Sequence, residues 1–269
     1  MKIKANYHTH NYRCGHATGT VDDYCDEAIK SGLEILGISD HVPFPDDRWH
    51  IMEYKGRQLQ IRMLVSELDS YSEEVDRAKE KYQQRLKVLK SFECEYLPEF
   101  INYYKEELLG RLGCDYLIGS VHYIQVDGEW IDPRRGAVGE RELNLYSEHM
   151  IKTIESGLFR FIAHPDLIFS NYPTWDNAAI NCSRQILECA ARNKMPIEVN
   201  GQGMRASKVL RDGVKSWPYP VKDFWKLAAE YDLQVIVNSD AHAPELVGDN
   251  LENGFGLLRD SGVPVVLEL

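Results

Sequence analysis

Ile3-Lys4-Ala5-Asn6-Tyr7-His8-Thr9-His10 is a short, largely apolar run that ends in two histidines. The run predicts a β-strand, and residues two apart in an extended strand project from the same face. His8 and His10 therefore point to one side and offer two nitrogen ligands to one metal ion. A surface histidine pair is the alternative interpretation of so short a motif. The rest of the chain decides between them, through the residues that end its later strands.

The composition of the 269-residue chain limits the classes of function. A net charge of −11 and a pI near 5.3 argue against nucleic acid as a partner, because no basic block is present to neutralise phosphates. No apolar run approaches the ~20 residues needed to span a bilayer, and nothing resembles a signal peptide. The six cysteines are scattered, which favours reduced thiols. We therefore expect a cytoplasmic protein without a membrane partner, and its oligomeric state stays open.

Short β-rich runs alternate with helical patterns along the chain, which is typical of strand-helix-strand units around parallel strands. The predicted strands are residues 3–7, 35–39, 86–92, 116–121, 159–163, 196–200 and 234–239. The predicted helices are residues 20–31, 58–84, 98–112, 140–156, 177–193, 221–231 and 251–260. Since no linker or low-complexity segment interrupts this alternation, residues 1–269 are expected to form one domain.

Two segments are predicted as loops over the strand ends, residues 42–56 and 127–139. The first contains two prolines with Phe44 and Trp49, and the second contains Pro133, Arg134 and Arg135. Long loops in compact domains often cover a site. We expect residues 42–56 to cover the site, and whether they move as a lid stays open.

Histidines and acids recur where the predicted strands end. In barrels of parallel strands, functional side chains gather at the carboxyl ends of several strands. Seven of the nine histidines lie there or in the first such loop, a preference that scattered histidines would not show. The candidate metal ligands are His8, His10, His16, His41, Glu93, His122, His164, Asp240 and His242. Imidazole with carboxylate suits zinc, manganese or iron, and about three ligands per catalytic ion imply two to three ions with a bridging carboxylate.

The ordered set of motifs resembles the polymerase and histidinol phosphatase (PHP) family. The motifs are His8-x-His10, His16, Ser39-Asp40-His41, Glu93, Ser120-Val121-His122, Ala163-His164-Pro165-Asp166 and Asn238-Ser239-Asp240-Ala241-His242. The resemblance implies an α/β fold, a distorted (β/α)7 TIM-like barrel with a trinuclear metal centre at the C-terminal ends of the strands. It assigns His8, His10, Glu93 and Asp240 to the first ion, Glu93, His122 and His164 to the second, and His16, His41 and His242 to the third.

The chain length and the segments 93–96 and 198–205 resemble the free-standing phosphatases of this family. The resemblance implies hydrolysis of L-histidinol phosphate to L-histidinol and phosphate in histidine biosynthesis, by attack of a metal-bridging hydroxide. Another substrate of the same chemistry is the alternative: a nucleotide, a small phosphodiester or a phosphotyrosine protein. The chain departs from its relatives in lacking a basic residue soon after Asp166 and in having Glu95 where aspartate is common.

Further residues are expected to assist at the site. Glu93 is the expected metal bridge, and Asp240 is expected to orient the attacking water or accept its proton. Arg205 is the first candidate for a phosphate clamp and Arg135 the second, because a guanidinium grips two oxygens at once. Acidic or amide groups are expected around a cationic leaving group. The candidates for that lining are Glu95, Asp166, Asn171 and Asn200.

Overall fold

The structure is a computed structural model that describes residues 3–54 and 56–269, in which strands and helices alternate as the sequence predicts. The strands are β1 (Ala5–Asn6), β2 (Ile35–Ile38), β3 (Ile51–Tyr54), β4 (Arg57–Gln60), β5 (Lys87–Lys90), β6 (Glu93–Glu95), β7 (Ile118–Ser120), β8 (Ile124–Val126), β9 (Glu129–Ile131), β10 (Phe161–Ile162), β11 (Ile197–Asn200), β12 (Val209–Arg211), β13 (Val214–Ser216) and β14 (Val235–Asn238). The α-helices are α1 (Val21–Lys30), α2 (Leu68–Tyr82), α3 (Glu140–Glu155), α4 (Asn177–Asn193), α5 (Gln202–Arg205), α6 (Lys222–Ala228) and α7 (Leu251–Ser261). A π-helix spans Tyr103–Arg111.

Seven strand positions form the wall of a distorted parallel barrel, which confirms the predicted fold class. One part has the order β1-β2-β5 and the other the order β6-β7-β10-β11-β14. The third strand position is split, because the chain bends at Ser91 and Phe92 between β5 and β6. Its first half pairs with β2 and its second half with β7. A bridge between His41 and Glu93 joins the two parts.

The barrel closes between β1 and β14 mainly through asparagine side chains. The Tyr7 N–H donates to Asn238 Oδ1 at 2.7 Å, and the Ser239 N–H donates to Asn6 Oδ1 at 3.2 Å. Beyond them the His10 N–H donates to the Ala241 carbonyl at 2.8 Å. Because β1 has only two residues, its backbone groups alone form few hydrogen bonds to β14. The asparagine side chains add further hydrogen bonds between the two strands. The closure brings the residues that follow β1 and those that follow β14 together at the site.

The helices cover the barrel with their apolar faces. α1 begins at a capping box, in which Thr20 accepts from the Asp23 N–H and the Asp23 carboxylate accepts from the Thr20 N–H. α4 begins where Asp176 accepts from the N–H groups of Ala178 and Ala179. Their buried residues recur at three- and four-residue spacing and pack on the strands. Among the described residues, no helix combines the length and apolar character that crossing a membrane requires.

Two β-hairpins occupy parts of the predicted loops and of one predicted helix, so the structure corrects the sequence prediction there. The predicted helix 58–84 begins only at Leu68, and the preceding residues form the antiparallel hairpin β3–β4. The predicted loop 127–139 begins inside a second hairpin, β8–β9. Trp49 joins the two regions, because its ring stacks on Tyr123 at 4.3 Å and meets Trp130 edge-on at 5.4 Å. Residues 42–56 therefore reach the site partly as an ordered hairpin.

Candidate metal centre

The structure brings all nine predicted metal ligands to the carboxyl end of the barrel. A cavity of about 480 Å³ opens there. Each follows or begins a barrel strand, apart from His16, which lies in the loop before α1. One position differs from the prediction: Glu93 does not follow the third strand but begins its second half, β6, after the bend. The nine residues are His8, His10, His16, His41, Glu93, His122, His164, Asp240 and His242.

Glu93 lies at the middle of this cluster and is only 1% exposed. Its Oε2 lies 2.9 Å from His41 Nδ1 and 3.5 Å from His8 Nε2. Its Oε1 lies 2.8 Å from His164 Nε2 and 3.4 Å from His122 Nε2. The two oxygens of one carboxylate thus face different histidines, which is the arrangement that a carboxylate bridging two ions needs.

Asp240 and His242 complete the cluster from the end of β14. Asp240 Oδ1 lies 3.1 Å from His10 Nε2 and 3.5 Å from His242 Nδ1. His242 Nε2 in turn lies 3.2 Å from His16 Nε2. Asp240 and His164 both have positive φ angles, 49° and 30°. Strained backbone of this kind persists where surrounding contacts hold it, and it concentrates at functional sites.

Buried carboxylates stand behind three of the histidines. His8 Nδ1 contacts Glu198 Oε1 at 2.9 Å, and His122 Nδ1 contacts Glu95 Oε1 at 2.7 Å. Asp40, which follows β2, lies 3.5 Å from His10 Nδ1. A carboxylate on one ring nitrogen fixes the tautomer and aims the other nitrogen at a metal. In all three pairs the Nε2 atom faces the cluster.

Glu198 was not predicted as a site residue. It is fully buried, and its Oε1 also accepts from Asn238 Nδ2 at 2.9 Å. Its Oε2 accepts from the His164 N–H at 3.1 Å and from Asn200 Nδ2 at 2.8 Å. A carboxylate in the middle of a predicted barrel strand was the available signal, since a buried charge requires partners.

Burial and neighbouring charges set the protonation of the cluster. Burial alone would lower the pKa of His8, but the Glu198 carboxylate and its neighbours outweigh it and raise that pKa. Burial alone would raise the pKa of Glu93, but His122 and the other imidazoles hold it well below the usual range. Burial lowers the pKa of His242 to about 3. The central carboxylate is therefore ionised and the outer imidazole neutral, which are the protonation states that bind metals.

The donor atoms fit divalent transition metals. Two nitrogens on one tetrahedral ion stand about 3.3 Å apart when each metal–nitrogen bond is about 2.0–2.1 Å. The Nε2 atoms of His8 and His10 are 3.1 Å apart, close to that value. His164 Nδ1 is buried without a hydrogen-bond partner among the described residues. The donor sets whose atoms lie within 4.8 Å of one another include His8 with His10 and Glu93; His41 with Glu93 and His122; and His10 with His41 and His242.

Of the six predicted substrate contacts, Arg135 lies on the cavity wall and the other five do not. Asp166 is buried, and its Oδ2 accepts from the Val221 N–H at 2.6 Å and from Trp225 Nε1 at 3.1 Å. Asn200 and Glu95 are buried behind Asp240 and His122, as the contacts of Asn200 Nδ2 with Asp240 Oδ2 (3.0 Å) and of Glu95 with His122 indicate. Asn171 donates to the carbonyls of Pro133 and Gly136.

Arg205 is engaged with the backbone beneath Asp240. Its Nη2 donates to the carbonyl oxygens of Ser239 and Asp240 at 2.6 and 2.8 Å and to Gln202 Oε1 at 2.8 Å. Arg205 therefore holds the turn that carries Asp240.

The cavity wall includes residues that the sequence analysis did not select. Arg62 lay inside the predicted outer helix, yet its side chain is 3% exposed and its Nη2 donates to Glu95 Oε1 at 2.7 Å. The hairpin β3–β4 gives the wall an apolar side, and the loop after β9 gives it a charged one. The additional lining residues are Met52, Leu59, Ile61, Arg62, Tyr123, Asp132, Arg134, Gln202 and Tyr219.

Comparison with known proteins places the chain among related sequences and folds. A protein of Deinococcus radiodurans named "Probable histidinol-phosphatase" is 31% identical over 264 residues, which cover 95% of this chain and 92% of that protein. A Schizosaccharomyces pombe protein of the same name is 28% identical over 273 residues, covering 98% and 88%. A histidinol phosphate phosphatase structure from Lactococcus lactis, complexed with zinc, L-histidinol and phosphate, has a TM-score of 0.71 at 14% identity and covers 98% of this chain and 95% of that one.

The family assignment follows from the extent of the match. The sequence pattern of the PHP domain matches residues 6–202, which is more than half of the chain and includes seven of the nine clustered residues. The two relatives extend the likeness over almost the whole chain. The solved structure has the same barrel fold. This chain belongs to the PHP domain family.

Proposed function

We propose that this protein is a metal-dependent phosphatase that hydrolyses L-histidinol phosphate to L-histidinol and phosphate, a step of histidine biosynthesis. The observation that carries the proposal is the central position of Glu93, whose two oxygens face different histidines in a buried cluster. The names of the relatives and the ligands of the Lactococcus lactis structure support the substrate. Two to three ions of zinc, manganese or iron would occupy the cluster.

The residues of the cluster would share the work of the reaction. Bound divalent ions would lower the pKa of water and stabilise negative charge on the phosphoryl oxygens. Glu93 would hold two ions at a fixed separation. Asp240 Oδ1 faces the imidazoles of His10 and His242 at 3.1 and 3.5 Å, while Asn200 holds its Oδ2 at 3.0 Å. Asp240 Oδ1 would accept the proton of the attacking water.

The supporting carboxylates would keep this geometry fixed. Glu198 and Glu95 would aim the Nε2 atoms of His8 and His122 at the ions. Arg62 would neutralise Glu95, to which it is paired at 2.7 Å. Such preorganisation matters because charge stabilisation at phosphorus depends on groups that need not rearrange during the reaction.

The alternative is the same chemistry on another phosphate ester. The cavity of about 480 Å³ suits a small ester better than a polymer, and the net charge of −11 disfavours nucleic acid. Residues 51–61 add an apolar side from Met52, Leu59 and Ile61, against which a flat ring such as imidazole can pack.

The test is phosphate release from L-histidinol phosphate, p-nitrophenyl phosphate and a nucleoside monophosphate, on protein whose metal content has been counted. We expect two to three transition metal ions per chain and a strong preference for L-histidinol phosphate in kcat/KM. Equal rates on all three esters would reject L-histidinol phosphate as the specific substrate, while the proposal that the protein is a phosphatase would stand. Absence of hydrolysis from metal-loaded protein would reject both.

A further inference from the structure

Three arginines lie on the cavity wall, and two of them are committed to contacts within the protein. Arg62 donates to Glu95 and to the Val42 carbonyl and is buried behind His122. Arg135 contacts Asp132 at 3.0 Å and donates from its Nη1 to the Glu53 carbonyl on β3 at 3.1 Å. Arg135 therefore ties the loop after β9 to the hairpin β3–β4.

Arg134 is held differently. Its Nε donates to Asp132 Oδ1 at 2.8 Å and its Nη2 to Asp132 Oδ2 at 2.9 Å, so one edge of the guanidinium is fixed. The Arg134 side chain is 35% exposed, whereas that of Asp132 is only 6% exposed. The Nη1 amino group makes no hydrogen bond in the part of the chain that the structure describes. Its donors are thus available to a ligand in the cavity.

Arg134 also lies near the metal cluster. Arg134 and Tyr219 line the same cavity, and the ring centroid of Tyr219 is 6.1 Å from that of His164. Asp132 and the two arginines it contacts carry one net positive charge at this side of the cavity. A phosphate ester bound at the cluster would extend toward this charge.

The segment after Asp166 supplies no cation to the cavity. Its residues form the 3₁₀ turn Leu167–Asn171, in which Leu167, Ile168 and Phe169 are buried in the core. These positions carry no charge. The loop after β9 is the element that brings the guanidinium of Arg134 to the cavity.

We propose that Arg134, positioned by Asp132, binds the phosphoryl oxygens of the substrate. The inference rests on the proposed function only in that the ligand is a phosphate ester. A guanidinium whose one edge is paired presents its remaining donors in a fixed plane, which suits the oxygens of a phosphate. Asp132 is a positioning residue, since it acts through Arg134.

The experiment measures binding of inorganic phosphate to the metal-loaded protein by titration calorimetry, for the native chain, Arg134→Met and Arg134→Lys. Loss of a charge-assisted hydrogen bond predicts about 10- to 100-fold weaker phosphate binding for Arg134→Met. Arg134→Lys, which keeps the charge and loses the fork, is expected to fall between. Arg141→Met is the control, because Arg141 pairs with the exposed Asp127 on the outer surface. Metal content is counted in every variant.

The outcomes separate this inference from the proposed function, because inorganic phosphate is not the ester whose identity is in question. If Arg134→Met binds phosphate more weakly and the native protein does not prefer L-histidinol phosphate, the role of Arg134 is supported and that substrate is rejected. Native phosphate affinity in Arg134→Met with unchanged metal content overturns the role of Arg134. If Arg134→Met loses its metals, the comparison rests on Arg134→Lys, where native affinity with full metal content likewise overturns it.

Discussion

At the scale of single residues, Glu93 is more central to the site than any one histidine. Each histidine of the cluster approaches the centre with one nitrogen, but Glu93 contributes two oxygens to different neighbours. It is also the negative charge that the surrounding imidazoles stabilise, which explains its depressed pKa. Removing it would leave the histidines that face its two oxygens without their common partner.

We expect Glu93→Ala to lose at least two metal ions together and to reduce kcat by about 10²- to 10³-fold or more. The reason is that a bridging carboxylate belongs to two coordination spheres. Metal content by mass spectrometry and phosphate release measure the two effects. Glu73→Ala on the exposed face of α2 is the control. A full metal complement in Glu93→Ala would falsify the bridging role.

Glu198 offers a finer test, since it touches a proposed ligand but lies behind it. Glu198→Gln keeps the shape of the side chain and removes the charge that holds His8 Nδ1 at 2.9 Å. We expect metal affinity to fall about 10- to 100-fold, the usual cost of losing such a partner. Competition with a chelator measures it, and Glu188→Gln on the exposed side of α4 is the control. Equal affinities of the native and Glu198→Gln proteins would contradict this role.

The sequence placed the nine clustered residues but not the groups behind them. The position of a residue at the end of a strand is enough to predict that its side chain meets those of the other strand ends, because the carboxyl ends of parallel strands lie at the same edge of the barrel. The partners of His8 and His122 depend on which strands become neighbours and how the barrel is staggered. Arg62 therefore carried no local signal of its role, and the position of Glu198 within a predicted strand indicated a buried charge but not its partner His8. The positive φ of Asp240 had no signal in the sequence either.

At the scale of elements, most of the α-helices were predicted close to their bounds, apart from the start of α2, and the hairpins were not predicted. α4 spans Asn177–Asn193, the bounds that the sequence predicts, because a long apolar stripe and a capping aspartate both mark it. The strands β3 and β4 have only four residues each, and most residues of β4 are exposed. No alternation of buried and exposed residues therefore marks this segment as a strand, and its sequence looks like the charged start of a helix. The ordered conformation of this hairpin comes from its contacts with other elements.

Trp49 is the residue that fixes the hairpin β3–β4 to its neighbours. Its φ of 56° is unfavourable for a large side chain, so its aromatic contacts must outweigh the strain. Stacking of this kind contributes about 0.5–1.5 kcal/mol beyond burial. The hairpin and the loop after β9 together form the mouth of the cavity.

We expect Trp49→Ala to loosen residues 48–62 without removing the metals. The lost stack on Tyr123 predicts backbone hydrogen exchange in that segment about 2- to 10-fold faster. The KM for the phosphate ester should rise while metal content stays the same. Trp49→Phe, which keeps a ring against Tyr123, should behave nearly as the native protein. Unchanged exchange in Trp49→Ala would show that other contacts order the hairpin.

At the scale of the whole molecule, we propose that residues 1–269 unfold as one unit. β1 is held to β14 by the bonds of Asn6 and Asn238, and the Leu269 N–H donates to the Tyr7 hydroxyl at 2.9 Å. These contacts join both ends of the described chain. In a barrel closed in this way, one half cannot open without breaking the contacts that hold the other half, so we expect both halves to unfold together.

The buried cysteines report on this cooperativity. All six are unpaired and buried, and burial raises the pKa of Cys25, Cys114 and Cys182 to about 12. An unfolded thiol returns to about 8.5, so between about pH 8.5 and 12 the unfolded state releases protons that the folded state keeps. Stability contributed by these groups therefore falls as pH rises through that window.

We expect no rapid thiol reaction with a disulfide reagent near pH 8 in the native protein and reaction of six thiols after unfolding. In a urea series, thiol exposure should coincide with the loss of helical circular dichroism. Reaction of a subset of thiols at lower urea would mean that part of the chain opens independently. The metal-loaded and chelated proteins should each show one transition, with the metal-loaded protein unfolding at higher urea.

The closure between β1 and β14 also bears on how the protein is made. The first two histidines of the centre leave the ribosome more than two hundred residues before Asp240 and His242. A nascent chain therefore holds most of its imidazoles long before it can place the last strand beside the first. Metal capture at the complete centre is thus deferred until residues 240–242 have been synthesised, and a chain cut short before residue 240 would carry ligands without a complete centre.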